Sequence, residues 1–212
     1  MSEFDLAHRR ELAVMTRSQM RILFAGATGV LGRATLPHLE GHDVVGLTRA
    51  RDRLELLRAL GAHGVVCDVY DYEELLRVAE EANPEIVVNF LTALSSGVGE
   101  ANNRVRREGG ANLVRAARSV EARRLVVESV SFRLEGSARV ALEEMERTAL
   151  DSPLDVLILR FARLWGPDTW HGEPGADAIH VEEAGAEAAK LLTSAPAGTY
   201  VIASATLGAQ AP

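Results

Sequence analysis

Gly26-Ala27-Thr28-Gly29-Val30-Leu31-Gly32, read as GATGVLG, follows the apolar run Arg21 to Ala25 and opens a stretch with helical periodicity. A strand that ends in glycines lets the chain reverse tightly and brings bare backbone against a phosphate, whose charge then meets the free N–H groups and the positive end of the next helix. Side chains at those positions would block the approach. The glycines fall at i, i+3 and i+6, whereas the widespread dinucleotide fingerprint places them at i, i+2 and i+5. An ordinary glycine turn could carry the same letters, so the flanking sequence decides the reading. Val30, Leu31, Ala34, Leu36 and Leu39 mark one face of a helix, and after Gly41 a second apolar run, Asp43 to Leu47, completes a short βαβ unit.

The same rhythm continues outward. Strands are expected near 21–25, 43–47, 64–67, 85–90, 124–129, 155–160 and 199–203, with helices at 29–39, 50–60, 71–82, 98–119, 138–150 and 181–194. Glu85-Ile86-Val87-Val88-Asn89-Phe90 and Leu125-Val126-Val127 are nearly continuous in apolar residues, as strands covered on both faces must be. Right-handed crossovers would place the helices on both sides, giving an α/β fold with a doubly wound parallel sheet of about seven strands, the Rossmann arrangement.

Composition bounds what such a chain can be. With 212 residues, 47% hydrophobic and 25% charged, it holds one domain with a substantial core. Residues 21–212 read as that domain, ending in a substrate-wall region over about 161–212, and residues 1–20 read as an extension. A net charge of −7 argues against a general nucleic-acid surface. Lys190 is the only lysine and Cys67 the only cysteine, which excludes an intrachain disulfide and any zinc cluster built on cysteines. No run of about 18 apolar residues suggests a membrane span, and the first twenty residues lack a secretory pattern, so a cytoplasmic location is expected. The histidines lack ligand spacing, and no metal site is expected.

GATGVLG, Cys67-Asp68-Val69, Asn89-Phe90-Leu91-Thr92-Ala93, Ser129-Val130-Ser131, Arg160 with Gly166-Pro167, and His180-Val181-Glu182-Glu183 occur in this order along the chain. In that order they resemble the extended or atypical short-chain dehydrogenase/reductases, of the NAD-dependent epimerase/dehydratase type. The similarity runs from about residue 21 to residue 203, with Trp165 where the family has tyrosine before Gly-Pro. The resemblance implies that Gly26, Thr28, Gly29, Val30, Leu31 and Gly32 cradle the pyrophosphate and that Asp68 accepts from the adenine amino group beside Val69. It also implies that Leu91, Thr92 and Ala93 lie under the ribose and nicotinamide. Asp68 could equally be a helix cap, although Asp71 is better placed for that role. Cofactor choice is read where the second strand ends: no acid stands there, and Arg49 with Arg51 or Arg53 offers a fork for a 2′-phosphate, favouring NADP over NAD.

The resemblance breaks at the catalytic signature. Family members that work on a carbinol use a Tyr-x-x-x-Lys pair. Tyr70, Tyr72 and Tyr200 are the only tyrosines, and none stands at that spacing from Lys190. Alignment would put Glu135 and Arg139 in the pair's places, an arrangement otherwise read as a surface i, i+4 salt bridge. Ser129 and Ser131, ending a strand at the ligand-binding edge, are better placed to touch a ligand, unless they cap neighbouring backbone. Trp165, Trp170, His171 and His180 fall in irregular chain expected to wall the substrate site, His171 being a candidate acid or base.

Two readings stand at this point: an oxidoreductase or epimerase-like enzyme on a small carbonyl, sugar or natural-product substrate with an atypical site, or a catalytically inactive dinucleotide-binding sensor or accessory protein. The helices at 98–119 and 138–150 resemble the pair with which family members build a four-helix interface, which would make a homodimer. Leu113, Val114, Ala117, Val140, Leu142 and Met145 could also be spent on the sheet.

Overall fold

The computed structural model describes residues 19–93, 99–175 and 177–204; most of the expected N-terminal extension lies outside them. Seven parallel strands form one sheet in the order β3-β2-β1-β4-β5-β6-β9. They are β1 (Arg21–Ala25), β2 (Asp43–Thr48), β3 (His63–Val66), β4 (Ile86–Asn89), β5 (Arg124–Val130), β6 (Asp155–Phe161) and β9 (Gly198–Ile202). The order reverses between β1 and β4, which leaves a crevice at the carboxyl edge of those two strands. β1 is in register with both neighbours, Ala25 opposite Leu47 on β2 and Asn89 on β4.

The helices divide between the two faces. α1 (Val30–Thr35) and α7 (Val181–Ser194) cover one, where Leu31, Leu36, Leu39, Ala184, Ala188 and Leu192 pack on Ile22, Phe24, Val88, Val126 and Leu159. On this face Phe90 stands edge-on to both Phe24 and Phe161, at 5.2 and 5.9 Å between ring centres. α3 (Tyr72–Ala82), α5 (Gly110–Ser119) and α6 (Gly136–Leu150) cover the other, with Leu75, Val78, Leu113, Val114, Leu142 and Met145 against Leu23, Val87, Leu125, Val127 and Ile158. Alternate strand residues therefore feed different cores, as period-two side-chain alternation requires. Five of the six residues weighed for a dimer surface are buried in the chain's own core, and Val140 alone faces outward.

Several helices are shorter or more broken than periodicity suggests. The segment expected as one helix at 29–39 is α1 followed by a 3₁₀ turn, Leu36–Leu39, because Pro37 has no N–H to continue the α ladder. Residues 50–60 split likewise into a 3₁₀ turn, Arg51–Arg53, and α2 (Leu54–Ala59). The helix expected at 98–119 is α4 (Glu100–Arg104), a π turn over Val105–Gly109, and α5. The wall region, expected as irregular chain, contains a small parallel sheet of β7 (Arg163–Trp165) and β8 (Ala178–His180).

Candidate cofactor and substrate site

The glycine turn sits at the β1/β4 crevice, and its glycines have different reasons. Gly26 has φ +90°, and a Cβ there would lie 2.1 Å from the Phe90 carbonyl oxygen. Gly32 is held by the same turn, since its Cβ would lie 2.2 Å from the Gly26 carbonyl oxygen. The protein's own packing requires both. Gly29 is different: it is exposed, has extended backbone that any residue adopts (φ −69°, ψ 169°), and its Cβ would meet only the Gly26 oxygen, at 3.1 Å. The space in front of Gly29 is thus free of protein, and α1 begins there with no side-chain cap. The opening N–H groups of the helix are left for an anion. Leu31 is buried under the turn, while Thr28 and Val30 are half-buried at its rim.

Beyond the end of β2, Arg49, Arg51 and Arg53 are all exposed, and among the described residues none has an ion-pair partner. Tyr70 lies nearby, with the Arg104 guanidinium 4.2 Å above its ring. Burial pushes the Tyr70 phenol above its ordinary pKa, against the fields of Arg104 and Arg49. Asp71 caps α3, its Oδ1 accepting from Glu74 N at 3.1 Å. Asp68 uses Oδ1 to accept from Tyr70 N at 3.1 Å, and no contact of its Oδ2 is recorded among the described residues. Val69 is buried, with its Cγ2 against Gly109, and its carbonyl accepts from Asn112 Nδ2 at 2.9 Å. At the end of β4, Leu91 is half-buried, Thr92 is exposed, and Ala93 N donates to Asn102 Oδ1 at 2.9 Å.

The serines separate. Ser129 is 1% exposed and donates to Glu146 Oε1 at 2.5 Å, while the same carboxylate accepts twice from Arg160, at 3.0 and 2.6 Å. Those hydrogen bonds from Arg160 and Ser129 hold the Glu146 carboxyl below its usual pKa although burial opposes them. Ser129, expected at the ligand-binding edge, thus turns its side chain toward α6, where Glu146 engages it away from solvent. Ser131 is exposed, its N–H donating to the Phe161 carbonyl at 2.9 Å. Glu135 is the exposed N-cap residue of α6 with extended backbone, and Arg139 pairs instead with Glu143 at 3.6 Å. The Glu-x-x-x-Arg pair does not form because Glu135 precedes the helix.

The segment after β7 is tied to α1 by Arg33, whose Nη2 donates to Asp168 Oδ2 at 2.9 Å. His180 Nδ1 accepts from Glu182 N at 3.3 Å, capping α7, with its ring edge-on to Trp165 at 4.6 Å. That is a structural post. His171 is exposed, and its carbonyl accepts from Gly166 N at 3.0 Å.

Sequence reasoning missed two charged residues, Arg106 between α4 and α5 and Glu128 on β5. Arg106, in the π turn, is 7% exposed, and Glu128 on β5 is half-buried; each lies in the other's field. A basic residue inside a helix and an acid inside an otherwise apolar strand were the available signals, but nothing local joins them.

The turn, the open space before Gly29, the exposed Arg49, Arg51 and Arg53, and the Asp68 carboxylate together fit a dinucleotide. Among curated proteins, the chain is 36% identical over 192 aligned residues to a 3-diazoavenalumate denitrifying reductase of a Streptomyces species, covering 76% of this chain and 62% of that protein. It is 32% identical over 97 residues to the methionine adenosyltransferase 2 subunit beta of Bos taurus, covering 43% of this chain and 29% of that one. The chain thus spans less than two thirds of the length of either relative. The solved structure of the Bordetella bronchiseptica enzyme WbmG in complex with NAD superposes with a TM-score of 0.74 at 20% identity, over 90% of this chain and 74% of that one. That likeness shows the fold. Residues 22–132, from the first strand through the glycine turn to the end of β5, match the sequence model of the NAD dependent epimerase/dehydratase family, and the chain belongs to that family.

Proposed function

We propose that the chain is a nicotinamide-dependent reductase whose substrate accepts a hydride without a tyrosine–lysine proton donor, an aryl diazo acid being the substrate class that fits. The observation that carries the reading is an open phosphate turn beside a helix α6 that offers neither tyrosine nor lysine. Reduction of a carbonyl leaves an alkoxide that must be protonated, which is the work of the missing pair. A diazo group has no such need: Ar–N₂⁺ and a hydride give Ar–H and dinitrogen. The Streptomyces relative bears the name of a denitrifying reductase of a diazo compound. When bound, the reduced dinucleotide would supply the hydride.

The chain's own residues would hold the reactants. The N–H groups at Val30 and Leu31 would receive the pyrophosphate, with bare backbone at Gly26 and Gly29. Asp68 would accept from the adenine, and Leu91, Thr92 and Ala93 would floor the ribose. Thr92 and Ser131, both exposed hydroxyls at the carboxyl edge, would face the substrate. Three exposed, unpaired arginines favour NADP, because a 2′-phosphate would give Arg49 and Arg51 or Arg53 the partner they lack. WbmG was solved with NAD, the alternative to which the arginines of this chain are opposed here.

The test mixes the protein anaerobically with NADPH or NADH and 4-carboxybenzenediazonium, following loss of the reduced nicotinamide's absorbance, dinitrogen release and formation of benzoate. Turnover above the protein-free rate is expected, faster with NADPH. If nucleotide binds and no acceleration is seen, the reductase reading fails. The accessory reading then stands, which the bovine relative, named as a subunit, independently favours.

A further inference from the structure

We propose that Arg33 is a positioning residue that changes partners when the cofactor binds: its guanidinium leaves Asp168 for the pyrophosphate, and the turn 166–171 is released from α1. The exchange rests on the reading of the glycine turn as the pyrophosphate seat, and adds to it an internal anion that occupies Arg33 until the nucleotide arrives. Arg33 stands one helical turn after Gly29, its N–H donating to the Gly29 carbonyl at 2.9 Å. Side chains on a helix lean toward its N-terminus, so a long one at this position runs back toward the open space before Gly29.

The guanidinium is only half engaged. Its Nη2 donates to Asp168 Oδ2 at 2.9 Å, while its Nε is buried without a hydrogen-bond partner among the described residues. A buried donor left unpaired is costly and calls for a reason. Nε and Nη2 share one edge of the guanidinium, the edge that offers a carboxylate or a phosphate two parallel N–H···O bonds. Asp168 takes one of the two. A phosphate would fill both, and since Nε is covered, it reaches that donor only when Asp168 and its turn step aside.

Asp168 is built to give way. Its side chain is 66% exposed and that of Arg33 30%, so water screens the pair and it holds weakly. Phosphate charge arriving before Gly29 repels the Asp168 carboxylate and acts in the same direction. Asp168 has φ +60°, uncommon for a residue other than glycine, in a turn tied to itself. Gly166 N donates to the His171 carbonyl at 3.0 Å, Thr169 N to the Gly166 carbonyl at 3.2 Å, and the Thr169 hydroxyl lies 2.7 and 2.8 Å from the same two carbonyls. Residues 166–171 therefore shift as a unit. Among the described residues, Arg33 is the one side chain outside the turn recorded as hydrogen-bonded to it.

The chain's two tryptophans, Trp165 and Trp170, flank Asp168, so their emission reports the turn. Trp165 is half-buried and edge-on to His180, and Trp170 is 63% exposed. The probes are oxidised NADP, NAD and ADP-ribose, the last carrying the pyrophosphate without a nicotinamide ring, each followed by tryptophan emission and melting temperature. In the wild type all three should change the emission in step with binding. Asp168→Asn, which keeps a residue that accepts left-handed backbone, should bind each about two- to fivefold tighter, because no ion pair has to be broken. Its emission before any addition should already match the nucleotide-bound wild type. Arg33→Gln should weaken all three alike, by about tenfold or more, and show no emission change on binding. Both variants should melt within about 2 °C of the wild type when alone, since an exposed pair contributes little to folding. A wild type whose melting temperature rises with nucleotide while its emission stays constant overturns the exchange and leaves the cofactor reading intact. So does weaker binding by Asp168→Asn, or unchanged binding by Arg33→Gln. If none of the three raises the melting temperature, the cofactor reading falls and the exchange falls with it.

Discussion

Replacing Gly26 and Gly29 separately by alanine tests whether the two glycines are kept for different reasons. At Gly26 the left-handed backbone (φ +90°) costs an L-residue roughly 1–2 kcal/mol. The new Cβ would lie 2.1 Å from the Phe90 carbonyl oxygen, over a segment whose ring is wedged between Phe24 and Phe161. Overpacking of that kind adds roughly 1–3 kcal/mol. Together these give a loss of about 2–5 kcal/mol, which for a domain of this size lowers Tm by about 4–20 °C. At Gly29 the backbone is already extended and the single close contact is 3.1 Å, so Gly29→Ala should change stability by under about 1 kcal/mol. Its methyl group instead enters the open space proposed above for the pyrophosphate. Thermal melts with and without NADP or NAD read both effects. At a hundredfold excess over Kd the nucleotide stabilises the wild type by about 2.7 kcal/mol. Gly29→Ala should lose most of that gain while melting near the wild type alone. Should Gly29→Ala keep the full nucleotide shift, the open space is not the ligand site; should Gly26→Ala melt like the wild type, the packing argument is wrong.

Arg49→Ala should reduce the preference for NADP over NAD about tenfold or more and leave Tm within about 2 °C, since an exposed arginine without a partner contributes little to folding; competitive nucleotide titrations check it. Glu146→Gln should destabilise the fold by about 1–3 kcal/mol at neutral pH, through the charged hydrogen bonds to Arg160 and Ser129. Because the folded-state pKa of Glu146 is lowered, that stabilisation is present above the unfolded carboxylate pKa and lost as pH falls through the folded one, so the wild-type and variant stability curves should converge in acid. Persistence of the gap at low pH would refute the assignment. Burial, with the fields of Glu74 and Asp68, pushes the Cys67 thiol up to about 12, so iodoacetamide at neutral pH should leave the folded chain unlabelled and modify it only on unfolding.

The strand rhythm was legible because both faces of the sheet are covered, and the continuous apolar runs at Ile86–Asn89 and Leu125–Val127 are what such burial demands. Legible too was the tight glycine turn, since Gly26 answers to its own φ and to Phe90, brought alongside by the parallel β1/β4 pairing. Helix interruptions were less so. Pro37 announces its break, but nothing in Val105-Arg106-Arg107-Glu108-Gly109 read locally distinguishes a π turn from continued α-helix. Ser129 shows the limit most plainly: a hydroxyl at a strand end reads as a ligand contact until α6 brings Glu146 against it. Glu135 was the more legible case, because Gly136 already signals a helix that starts after it, and α6 does start at Gly136.

By itself the sequence determined a parallel, doubly wound sheet, a tight glycine turn between β1 and α1, arginines instead of an acid after β2, and the lack of a Tyr-x-x-x-Lys pair. These depend on neighbours in the chain: side-chain period, backbone conformation and residue type at fixed spacing. Only the tertiary structure decided that Ser129 and Arg160 both belong to Glu146, and that His180 is a cap. Charges and hydroxyls on separate elements acquire partners through packing, and their chemistry depends on burial and on distances that no local pattern encodes.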